Sequence, residues 1–67
     1  MDFEQYLPDG ARSKMLRERI TQLAVEGLAI EIALTEADAR GDVDEVAELT
    51  SNIAMIKASI EAAESQL

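Results

Sequence analysis

Cysteine and histidine are both missing from this 67-residue chain. The first absence excludes disulfides and thiolate metal sites, and the second removes the commonest general base and zinc ligand. The only aromatics are Phe3 and Tyr6. With β-branched residues scattered and no sustained alternation of period two, nothing reads as a strand. Long apolar runs are also lacking: the longest, Leu23 to Leu34, is broken by Glu26 and Glu31 and cannot cross a bilayer. Basic residues are few, six against fourteen acids, for a formal net charge of -8. That balance disfavours nucleic acid and anionic lipid and favours basic protein surfaces as partners. Met1-Asp2-Phe3-Glu4 is acidic where a secretory signal is basic. A soluble cytoplasmic protein is therefore expected.

What remains reads as helix. Pro8-Asp9-Gly10 breaks the chain and offers Asp9 as an N-cap, after which residues 11–40 contain no proline and one glycine, Gly27. Arg40-Gly41-Asp42 punctuates it again. Gly41 suits a left-handed helix end and Asp42 the next N-cap, with Glu45 placed to complete a capping box. The expected organisation is an N-terminal segment, 1–8, and a helical hairpin, 9–67. Within the hairpin, helix 1 covers about 11–40, the turn 41–42 and helix 2 about 43–66.

Both helices carry a heptad seam. Leu16, Ile20, Leu23, Gly27, Ile30, Leu34 and Ala37 recur at alternating spacings of four and three, as do Val46, Leu49, Ile53, Ile56, Ile60, Ala63 and Leu67. In an antiparallel hairpin turning at Gly41-Asp42, facing residues have numbers of constant sum. Every layer here sums to 83, from Ala37 with Val46 out to Leu16 with Leu67. The fold class expected is thus all-α, a two-helix antiparallel hairpin of coiled-coil type. A chain this short buries too little to be comfortable alone.

The seam leaves apolar surface over. Ala24, Val25, Leu28 and Ile32 form a second stripe roughly 100–150° around helix 1. Helix 2 has a weaker one in Ala47, Ala54, Met55, Ala58 and Ala62. Covering Val25, Leu28 and Ile32 is worth about 1.5–3 kcal/mol each. Dimerisation into a four-helix bundle does this, and so does docking on another protein. The plan resembles Rop-type hairpins over about residues 11–67, with no shared residue motif, and the resemblance implies dimerisation into such a bundle.

Candidate partner-binding residues are Phe3, Tyr6 and Leu7, spaced to share one face of a short helical turn, together with Val25, Leu28, Ile32, Glu31 and Met55. The N-terminal trio either plugs the open end of the hairpin over Leu16 and Leu67 or serves as a docking hook. Glu31 lies between the two stripes, either reaching out to water or setting register, and Asn52 has the same two roles open to it. Arg12, Lys14, Arg17 and Arg19 crowd the start of helix 1, where they oppose its dipole; either Glu61 and Glu64 of helix 2 pair with them, or they form a phosphate-binding or partner-binding patch. No catalytic, cofactor or metal residues are expected. Asp42-Val43-Asp44 lacks the glycine and terminal glutamate of a calcium loop. Ser51-Asn52-Ile53-Ala54-Met55 lacks the aspartate of the Ser-Gln-Glu-Leu-Asp motif in small hairpin phosphatases. The function expected is a non-enzymatic interaction module, a small subunit pairing with itself or with another protein; the alternative is an acidic inhibitor occupying a basic groove on a nucleic-acid-processing protein.

Overall fold

Two residues reverse the chain. Helix α1, Ala11–Arg40, ends at Gly41, whose φ of 72° only glycine adopts without strain. The Gly41 N–H donates to the Asp38 carbonyl and the Asp42 N–H to Ala37, 3.0 Å each, a Schellman closure that satisfies two carbonyls at the helix end. Helix α2, Val43–Glu64, starts at once. Its N-cap is Asp42, whose Oδ1 accepts from the Glu45 N–H at 3.1 Å. The expected capping box forms only in this half. The Asp42 N–H is already committed to Ala37, so the Glu45 carboxylate turns to Arg40 instead, at 2.7 Å.

The computed structural model describes residues 3–67, and the acidic Met1-Asp2 start lies outside the described residues. Among them α1 and α2 pack antiparallel with no strand, preceded by a short 3-10 helix, Phe3–Tyr6. No helix among them is long and apolar enough to cross a membrane. The rod measures 52 × 16 × 14 Å, so it is one helix pair thick along its length.

The seam is where the sequence puts it. Leu23, Ala37 and Ala63 are buried, and the other seam residues except Leu67 are half-buried. The register is visible at Gly27. A Cβ built there lies 3.6 Å from Ile56 Cγ2, its facing residue in the layer summing to 83. Because that is ordinary van der Waals separation, the glycine is not demanded by the packing of the pair.

Two ends depart from expectation. Gly10, not Asp9, caps α1, with φ 81° and no side-chain hydrogen bond. The outermost layer, Leu16 with Leu67, does not close, since Leu67 is 56% exposed. Past Glu64 the chain tightens into bonds of three-residue span, Gln66 N–H to Ala63 and Leu67 N–H to Glu64. That tighter winding rotates Leu67 off the α-helical seam.

Two substitutions test this packing by urea unfolding. Ile53→Ala, in mid-seam, is expected to cost about 2 kcal/mol. Gly27→Ala should instead stabilise by about 1 kcal/mol, since it removes a glycine from a helix interior and its methyl fits against Ile56. A destabilised Gly27→Ala would mean that the helices approach more closely than the contact to Ile56 implies.

Candidate interaction surface

Helix α1 is apolar on both sides. Opposite the seam, Val25, Leu28 and Ile32 are 64%, 59% and 55% exposed. They belong to a longer stripe than the sequence reading picked out: Thr21, Val25, Leu28, Ile32, Thr35 and Ala39 recur at 4, 3, 4, 3, 4. Each lies five residues beyond a seam residue, which turns the stripe roughly 140° from α2 at 100° per residue. The signal was present in the spacing, hidden by the two threonines.

Those threonines are not polar intrusions. The Thr21 hydroxyl donates to the Arg17 carbonyl and the Thr35 hydroxyl to the Glu31 carbonyl, both at 3.1 Å. Bonding back to the preceding turn satisfies the donor within the helix. Covering these residues therefore strands no hydroxyl hydrogen, which is the usual cost of taking threonine out of water.

The remaining candidates fall in separate places. Leu28 and Glu31 line a shallow hollow of about 220 Å³ over Gly27, with Ile53, Ile56 and Lys57 on its α2 side. Glu31 itself is exposed, and Asn52 is half-buried at the seam edge. Met55 is exposed on α2 and lines neither this hollow nor the N-terminal one.

At the other end, Phe3 and Leu7 line an open hollow of about 520 Å³ with Met15, Leu16, Arg12 and Arg19. Tyr6 does not line it. Phe3 and Tyr6 remain 69% and 78% exposed, and Leu67 is not among the hollow's residues, so the segment does not plug the end of the hairpin. Met15, exposed and outside the seam, was not singled out in the sequence because it matches neither stripe.

Arg12 holds this segment in place. Its guanidinium pairs with Glu4 and donates to Gln66 Oε1 at 2.8 Å, tying the 3-10 helix to α1 and to the chain beyond α2. Of the four basic residues at the start of α1, Arg12 alone finds side-chain partners among the described residues, and they are Glu4 and Gln66, not the expected Glu61 and Glu64. Among the described residues the only other ion pair is Arg40 with Glu45. Likewise, no group of three or more acidic side chains there could hold a metal ion.

Compared with protein-family models, curated proteins and solved structures, the chain finds no match in any of the three.

Arg12→Ala is expected to release the N-terminal segment without unfolding the hairpin. Exposed pairs of this kind contribute about 1 kcal/mol or less. Amide exchange should accelerate at Leu7, whose N–H donates to the Glu4 carbonyl, while exchange at Leu23 and Ile53 stays unchanged. Equal acceleration in the seam would contradict this division.

Proposed function

We propose that the chain is a non-enzymatic interaction module, a helical-hairpin subunit that docks through the outer stripe of α1. The observation that carries this reading is the exposure of Val25, Leu28 and Ile32 on a regular heptad stripe roughly 140° around α1 from the seam. Scattered exposed apolar residues need no explanation, but a contiguous row at coiled-coil spacing is what a helix presents to a second helix. Docking can pair two hairpins into a four-helix assembly or seat one hairpin on a different protein. Phe3 and Leu7 add an apolar contact at the end of the rod.

A second reading, the acidic inhibitor, is favoured by Asp44, Glu48, Glu61 and Glu64, which are exposed on α2 and take part in no ion pair among the described residues. Charge mimicry of that kind weakens steeply with ionic strength, whereas apolar docking tolerates salt.

On any complex formed by the intact chain, Leu28→Asp is expected to abolish assembly, because it forces a carboxylate into an apolar contact. Neutralising Asp44, Glu48 and Glu61 together should leave assembly intact, and this choice spares the Arg40–Glu45 pair. Loss of binding in the acidic triple variant, with Leu28→Asp still bound, would give first place to the inhibitor.

A further inference from the structure

The docking stripe also carries information about what covers it. The charges of α1 balance, five basic and five acidic, so the net charge of the chain resides elsewhere. They are also divided by position. Arg12, Lys14, Arg17 and Arg19 sit in the first half against Glu18 alone. Glu26, Glu31, Glu36 and Asp38 sit in the second half against Arg40 alone. A helix charged in this way is complementary to itself run backwards.

From this we infer that the occupant of the outer stripe is a second copy of the chain, its α1 laid antiparallel on the first; the inference rests on the docking reading above. The stripe tests itself for register by the same constant-sum rule that governs the hairpin. With facing numbers summing to 53, Val25 meets the partner's Leu28 and Thr21 meets the partner's Ile32, each contact occurring twice about the two-fold axis. Flanking positions on one side of this core pair at a sum of 55, two off the layers themselves, which sets Arg17 beside the partner's Asp38, again twice. In this register Thr35 and Ala39 face the partner's Glu18 and the partner's Lys14, whereas a slide of one heptad to a sum of 60 would pair the whole stripe with itself but bring Glu31 beside the partner's Glu31 and leave the basic half overhanging. Like charges so placed disfavour that register.

Surface area agrees. The chain exposes 5284 Å², where a compact monomer of its mass exposes about 4,200 Å². The excess, roughly 1,100 Å², is of the order that a standard interface removes from one partner, about 800 Å². Because the stripe is roughly 140° from the seam, wider than the near right angle of a square bundle, the four helices form a row. The order is α2, α1, then the partner's α1 and α2.

Sedimentation equilibrium of the full chain at micromolar concentration is expected to give a dimer. Leu28→Asp should give a monomer with unchanged helicity by circular dichroism. Two further variants do not rely on that one folding: Arg17→Glu and Asp38→Arg each set like charges opposite one another at two symmetric positions. Each alone should weaken the dimer about tenfold, since single exposed pairs are individually small. Mixing the two variants, or combining both changes in one chain, should restore it. A monomer at every concentration overturns the second copy as occupant, while the docking surface itself stands. A dimer that survives Leu28→Asp overturns both. A dimer lost with Leu28→Asp but indifferent to the charge variants overturns the antiparallel register.

Discussion

Everything in this molecule follows from the reversal at Gly41 and Asp42. The turn is two residues long because each does two jobs at once: Gly41 takes the left-handed conformation that lets its N–H close α1, and Asp42 ends one helix with its N–H while starting the next with its carboxylate. A turn with no spare residue fixes how far each position lies from the fold point. Gly27 is thereby brought to Ile56, and Ala37 and Ala63 into the buried seam. A one-residue insertion between the helices would rotate one seam off the other, whatever the residues' hydrophobicity.

The same constraint explains why so much apolar surface is left outside. Two helices bury one stripe of each, and only Leu23, Ala37 and Ala63 are buried among the described residues. The stripe holding the hairpin together and the stripe offered outward are therefore separate sets of residues, five positions apart along α1. Separation of this kind lets the outer stripe change partner or composition without altering the register of the pair. It also means that hairpin stability and assembly are linked by mass action, since a partner that binds only the folded hairpin stabilises it.

Much of the fold was legible in the sequence because it depends on periodicity alone. Heptad spacing and the place of the glycine suffice to give an antiparallel pair and its layers. The misses lie at the chain ends and the turn, and several are local competitions between hydrogen-bonding groups, which periodicity does not encode. Glu45 was drawn to Arg40 because the Asp42 N–H was taken. Arg12, on a long side chain, reached Glu4 and Gln66 before any glutamate of α2. Leu67 left the seam when the final turn tightened. For the candidate surface, Val25, Leu28 and Ile32 were legible as apolar residues out of phase with the seam. The full stripe was not, since Thr21 and Thr35 read as polar until their hydroxyls are seen bonded back into the helix.

If the seam serves folding and the outer stripe of α1 serves association, as proposed, methyl NMR with a soluble paramagnetic agent reports both in one sample. In dilute protein the methyls of Val25, Leu28 and Ile32 should relax strongly, and that of Ile53 weakly. As the dimer forms with rising concentration, the three α1 methyls should lose their enhancement while those of Met55 and Val43, exposed on α2, keep theirs. Protection appearing at Met55 and Val43 instead, with Val25, Leu28 and Ile32 still open to the agent, would contradict the assignment of association to α1.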